Sequence, residues 1–125
     1  MEAIVDTTVV IHLLRRYKPA LAWFNNNQTY GVTSTTWMEV MQGTTSKSHQ
    51  TQARGILDQF EMLYLTAADQ QWAMEQLEAF QFSHHISMSD CQIAAVVHRL
   101  NLPLYTHNLK DMTPIIGKLA VKPYV

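Results

Sequence analysis

Three carboxylates lie where helices should begin or where apolar stretches crowd in. Asp6 closes Ala3-Ile4-Val5 and opens Thr7-Thr8-Val9-Val10-Ile11. Asp90 opens Cys91-Gln92-Ile93-Ala94-Ala95-Val96-Val97, and Glu39 lies in Trp37-Met38-Glu39-Val40-Met41. The chain has only ten acids, so three in such settings are hard to assign to surface charge. If the fold gathers them, like charges crowd one pocket, and a hard divalent cation relieves the repulsion. The chemistry of such a cluster is metal-dependent hydrolysis.

Helical geometry separates the three. At about 100° per residue, Asp90 lies over Ile93, Ala94 and Val97, and Asp6 over Val9, Val10 and Leu13. Each is thus a carboxylate at the edge of an apolar stripe. Taken alone, either one is more simply a helix cap, since Asp is a good N-cap and Ser87-Met88-Ser89-Asp90 spells a capping box. Capping and metal ligation are compatible. Glu39 points away from Trp37, Val40 and Met41 and shares its face with Thr35 and Gln42, which locally reads as an ordinary solvated glutamate.

Other chemistries find little support. The single Cys91 permits neither a disulfide framework nor a thiolate zinc cluster, and its small side chain beside Asp90 suits a core position. His84-His85 diverge in either helix or strand, and His12, His98 and His107 fall in no zinc-binding spacing. The four glycines form no phosphate loop. Trp23, Trp37 and Trp72 read as core or interface anchors. A net charge of −1 argues against coating nucleic acid by charge alone, and leaves room for an RNA enzyme with a local basic rim such as Arg15, Arg16, Lys18, Lys47 and Lys110.

The elements that must position these groups alternate between strand and helix. Ala3 to Val5 reads as a buried strand, residues 7 to 16 as a helix, and Pro19 to Phe24 as a second helix ended by Asn25-Asn26-Asn27. A strand from Tyr30 to Thr33 leads to a helix over Thr35 to Met41 with Ser34 as cap and Gly43 as stop. A further helix carries Ala53, Ile56, Leu57 and Phe60, followed by a strand from Met62 to Leu65. Thr66 and Asp69 form a capping box for a helix from Ala67 to about Phe82, and Ser87 or Ser89 caps a helix to Leu100. Leu104 to Thr106 and an edge segment, Leu119 to Val121, complete the strands. The alternation predicts an α/β fold with a mainly parallel sheet of four to five strands in one domain over residues 1–125. Ligands of such sheets bind beyond the carboxyl ends of the strands, where Asp6, Asp90 and Asn108 all fall. No run approaches membrane-spanning length, and an acid stands where a secretion signal needs a basic region, so a cytoplasmic protein is expected.

Taken in order, four segments resemble the PIN-domain family and, within it, the small VapC-like toxins of toxin–antitoxin modules. They are Ile4-Val5-Asp6-Thr7-Thr8-Val9-Val10-Ile11, Ser34 through Gly43, Ser89-Asp90-Cys91-Gln92-Ile93-Ala94-Ala95, and Leu104-Tyr105-Thr106-His107-Asn108-Leu109-Lys110-Asp111. The resemblance implies a three-layer α/β/α sandwich with Asp6, Glu39 and Asp90 as catalytic and metal-binding acids. It implies Mg²⁺, with Mn²⁺ as a substitute, and endonucleolytic cleavage of RNA to 3′-hydroxyl and 5′-phosphate ends. It further implies a homodimer neutralised by a small antitoxin protein. Asn108 stands where the family often carries a fourth acid, which Asp111 supplies only if three residues of offset are tolerated. Thr8, Thr106, Asn108 and Asp111 are the expected supporting or substrate-contacting groups.

Overall fold

The computed structural model describes all 125 residues, Met1–Val125. The strands are β1 (Ala3–Val5), β2 (Tyr30–Thr33), β3 (Glu61–Leu63), β4 (Leu104–Tyr105) and β5 (Ala120–Val121). They form one sheet in the order β3-β2-β1-β4-β5, and every neighbouring pair is parallel. The expected four to five mainly parallel strands are therefore five, all parallel. The helices are α1 (Thr7–Leu14), α2 (Lys18–Phe24), α3 (Ser34–Gln42), α4 (Lys47–Leu57), α5 (Ala67–His84), α6 (Met88–Leu100) and α7 (Leu109–Ile116). No helix is long and apolar enough to cross a membrane.

Strand periodicity explains the layers. Ala3 and Val5 project to one face of β1 with Tyr30 and Val32 of β2, where they meet Val9, Val10 and Leu13 of α1, Ala20 of α2, Val40 of α3 and Ala53 and Leu57 of α4. Ile4 and Leu104 project to the other face and pack on Ile93, Ala94, Val96 and Val97 of α6 and Met112 of α7. A sheet buried on both faces requires apolar residues at consecutive positions, and Ala3, Ile4 and Val5 are all fully buried. A third cluster, Ala73, Ile86, Cys91 and Ala95, seats α5 on α6, which places Cys91 in the core as expected. Burial pushes its thiol pKa up, the reverse of what a nucleophile needs.

Several boundaries differ from expectation, each for a local reason. The first helix stops at Leu14, two residues early, because Arg16 adopts φ 60° and the amides of Arg16 and Tyr17 turn back to the carbonyls of Leu13 and His12. Thr33, not Ser34, caps α3: its hydroxyl accepts from the Thr36 amide at 3.1 Å. Between Ser87 and Ser89, Ser87 is the cap of α6. Phe60 is buried yet lies beyond the end of α4. The helix α7 has no counterpart in the sequence reading, because Pro114 and Gly117 punctuate it like a loop.

Candidate active site

β1 is central, and the chain moves outward from it in opposite directions, to β2 and β3 on one side and to β4 and β5 on the other. The crevice at the carboxyl ends of β1 and β4 is therefore the switch point at which parallel sheets bind ligands. Asp6 occupies its floor. It is only 2% exposed, and its carboxylate is held from several directions. Oδ1 accepts from the Thr7 amide at 2.8 Å, as an N-cap does, and Oδ2 accepts from the Thr106 hydroxyl at 2.6 Å. Thr106 is fixed in turn by the Asn108 amide at 2.8 Å. Thr8 reaches Oδ2 only at 3.5 Å, and its hydroxyl takes the His107 amide at 3.1 Å, so it ties α1 to the segment after β4.

Burial pushes the Asp6 pKa up to about 6. The hydrogen bonds from Thr106 and Thr7 oppose that rise, and the negative charges of Asp90 and Glu39 add to it. The three acids, far apart in sequence, are therefore close enough for their charges to be felt at Asp6.

Glu39 is half-buried, not solvated as its local pattern suggested. Its Oε1 accepts from the Thr7 hydroxyl at 2.7 Å. The same hydroxyl lies 3.0 Å from Thr36 Oγ1, and a single proton serves the charged acceptor better. α3 begins directly after β2, so its first turns rise beside the start of α1 and turn Glu39 inward. On the adjacent face, the Thr35 hydroxyl donates to Gln92 Oε1 at 3.1 Å, tying α3 to α6. Thr7 was absent from the sequence-based site; the only signal for it was its place directly after Asp6.

Asp90 is both the capping-box partner of Ser87 and an electrostatic neighbour of Glu39 and Asp6. It sits at the third position of α6, where its amide donates to Ser87 Oγ at 3.1 Å and its Oδ2 accepts from the Ser87 amide at 3.4 Å. Burial raises its pKa, the Ser87 hydrogen bonds oppose this, and the charges of Asp111 and then Glu39 raise it again. Asp111, in the first turn of α7, thus lies near Asp90. Asn108 precedes that turn and makes no side-chain capping bond, leaving its amide group free.

The donor set suits a hard cation. Glu39 Oε2 and Asp90 Oδ1 have no protein partner, and neither is a buried, stranded atom. Burial, with a smaller addition from the neighbouring acids, raises the pKa values of Asp6 and Asp90, and a divalent cation would oppose both effects. No three acids or histidines, however, converge closely enough to form a ready-made coordination shell. A cation held by so open a set would have to keep several of its own waters, as Mg²⁺ does.

Beside the crevice is an aromatic group absent from the sequence reading. His12 Nδ1 lies 2.7 Å from the Tyr124 hydroxyl, and the His12 and His107 rings meet edge-on with centroids 4.9 Å apart. Burial lowers the pKa of both histidines, with Arg15 adding to the effect at His12, and His12 and Lys122 adding to it at His107. Nothing in the spacing of residues 12, 107 and 124 announces this cluster.

Comparison with known proteins agrees with this architecture. No curated protein sequence matches the chain. Among solved structures, a toxin–antitoxin complex from Klebsiella pneumoniae contains a chain 27% identical, with a TM-score of 0.74 and 98% of each chain covered. VapBC2 from Rickettsia felis, bound to a DNA fragment from its promoter, gives 21% identity and a TM-score of 0.77, covering 94% of this chain and 95% of that one. FitAcB from Neisseria gonorrhoeae gives 19% identity and a TM-score of 0.74, with 97% of each chain covered. The last two likenesses concern the fold alone. The family model for the PIN domain matches residues 3–110, a span that includes Asp6, Glu39, Asp90 and Asn108, and the chain belongs to the PIN-domain family.

Proposed function

We propose that this protein is a metal-dependent endoribonuclease and the toxin of a toxin–antitoxin pair. The observation that carries the reading is the gathering of Asp6, Glu39 and Asp90 at the switch point of the sheet, where two of the three have raised pKa values. Family membership supports it, as does the likeness to a chain of the Klebsiella pneumoniae toxin–antitoxin complex. Asp6, Glu39 and Asp90 would hold Mg²⁺, or Mn²⁺ in its place, with Asp111 as a further acid beside Asp90. Bound there, the cation would lower the pKa of a water and neutralise charge on the phosphoryl oxygens and leaving group.

The protein's own groups have separable parts in this reading. Thr106 and the Thr7 amide hold the Asp6 carboxylate in one orientation, so no reorganisation is needed when substrate arrives. Thr8 keeps the segment after β4 against α1. Thr7 anchors Glu39 through Oε1 and leaves Oε2 to accept a proton from the attacking water. Asn108 offers an uncharged amide to a phosphate oxygen, with less negative charge than an acid would bring. A water nucleophile leaves 3′-hydroxyl and 5′-phosphate ends without using the RNA 2′-hydroxyl. The protein would act in the cytoplasm as a homodimer, and a small antitoxin protein would cover the crevice.

Asn108 and the loosely spaced acids favour a second reading, a PIN domain that docks a protein partner with little catalysis. End-labelled RNA separates the two. Cleavage should require Mg²⁺, stop with EDTA, and fall by at least a hundredfold in Asp6→Asn and in Asp90→Asn. Cleavage that survives all three treatments defeats the nuclease reading, and no cleavage under any condition favours docking.

A further inference from the structure

We infer that a small cavity beside Glu39 is a subsite for a sugar-phosphate unit of single-stranded RNA next to the cleaved bond, with Arg15 and His49 as its anion-binding groups. The cavity encloses about 180 Å³ between α1, α3 and the start of α4, and is lined by Ile11, Leu14, Arg15, Glu39, Val40, Gly43 and His49. It is below the size of pockets that enclose a drug-sized ligand, and suits a fragment of a longer polymer.

Three observations choose the occupant. First, Arg15 forms no ion pair, although Glu39 lines the same cavity; the two salt bridges of the fold are Arg54–Asp58 and Arg99–Asp69. Its charge is therefore available to an incoming anion. Second, His49 Nδ1 accepts the Thr45 amide at 3.2 Å, which puts the ring proton on Nε2 and makes that edge a donor. Third, Glu39 lines this cavity while its Oε1 is engaged by Thr7, the residue next to Asp6, so the cavity adjoins the acidic site. A cationic group and an imidazole N–H donor above apolar walls complement a phosphate followed by a ribose. Neutralising one phosphate with one cation also fits a protein whose net charge is −1, because affinity is then local.

The inference rests on the ribonuclease reading, and the test separates the two. Binding of a fluorescein-labelled, unstructured oligoribonucleotide is measured in EDTA, so that cleavage is absent, over a series of salt concentrations. Arg15→Gln should weaken binding several-fold at about 50 mM salt and flatten the log–log salt slope by about 0.7, the value for one phosphate on a single strand. His49→Phe should weaken binding several-fold, through the lost N–H donor. Gly43 has φ −78°, and an added Cβ would make only ordinary contacts, so both Gly43→Asp and Gly43→Ala should fold. Gly43→Asp should weaken binding several-fold and Gly43→Ala should not. Lys118→Gln, outside the cavity, should leave affinity and slope unaltered. A wild type that cleaves RNA while Arg15→Gln and Gly43→Asp bind it unchanged overturns the subsite alone, and a cavity that instead serves a protein segment gives that same result. A wild type that never cleaves, yet shows the Arg15-dependent slope, overturns the nuclease reading and the subsite's place beside a cleaved bond, and leaves the cavity as an RNA phosphate site only.

Discussion

Replacing Asp6 by Asn should stabilise the metal-free protein at alkaline pH, because the fold buries a carboxylate that would be better solvated in the unfolded chain. The Asp6 pKa rises from an ordinary 3.8 to about 6 on folding, with burial as the main cause. The native state therefore binds more protons than the unfolded state between those values, and stability falls as pH rises through that window. A rise of that size corresponds to about 3 kcal/mol between the fully protonated and fully ionised forms. Only part is accessible above the pH at which the protein as a whole acid-unfolds: from about pH 8 to about pH 5, linkage gives the wild type about 1.4 kcal/mol relative to Asp6→Asn. The comparison must be a difference between the two proteins. His12 and His107 have lowered pKa values, so their contribution runs oppositely and is lost as pH falls below the ordinary histidine value. Urea unfolding of both proteins in EDTA, at closely spaced pH values, measures the difference directly. Asn cannot accept as strongly from Thr106, which trims the gain at pH 8 by about 1 kcal/mol without altering the pH dependence. A stability difference that stays flat from pH 8 to pH 5 would refute the claim that folding desolvates this charge.

The other expectations concern the frame that carries the site. Asp69 is pushed up by burial, but Arg99 and Thr66 outweigh this and hold its pKa below the usual carboxylate range. Arg99→Gln should cost about 1–2 kcal/mol near neutral pH, discounted because the Arg99 side chain is 38% exposed. That loss should shrink as pH falls through the lowered Asp69 pKa; a loss constant down to pH 3 would point to packing instead. Arg16 takes a left-handed conformation that favours glycine, so Arg16→Gly should raise stability by about 0.5–1 kcal/mol in thermal melts, and a lower melting temperature would count against this turn. Ser87→Ala should cost about 1 kcal/mol through the lost cap of α6, and an unchanged melt would show that the capping box does not form in solution.

The strands and most helices were legible because period-2 and period-3.6 apolar patterns are local. Asp6 and Asp90 were legible for the same reason, as each sits at an element boundary over an apolar stripe. Glu39 was not, since its environment comes from α1 across the crevice through Thr7, a contact between residues 32 positions apart. The proximity of Asp111 to Asp90 depends on α7, which Pro114 disguised as a loop. The pairing of His12 with Tyr124 spans 112 positions and leaves no trace in any window of sequence. Capping chemistry was legible in kind yet shifted by a residue at Thr33, where the last strand residue is also the cap.

That Asp6, Glu39 and Asp90 form one divalent-cation site is tested most directly by isothermal titration of Mn²⁺ into the wild type and Asp90→Asn at about pH 6.5. The wild type should bind saturably and release protons, because Asp6 is partly protonated at that pH in the metal-free protein. Asp90→Asn should bind at least tenfold more weakly. Equal isotherms for the two proteins, or no heat of binding to either, would contradict a shared site.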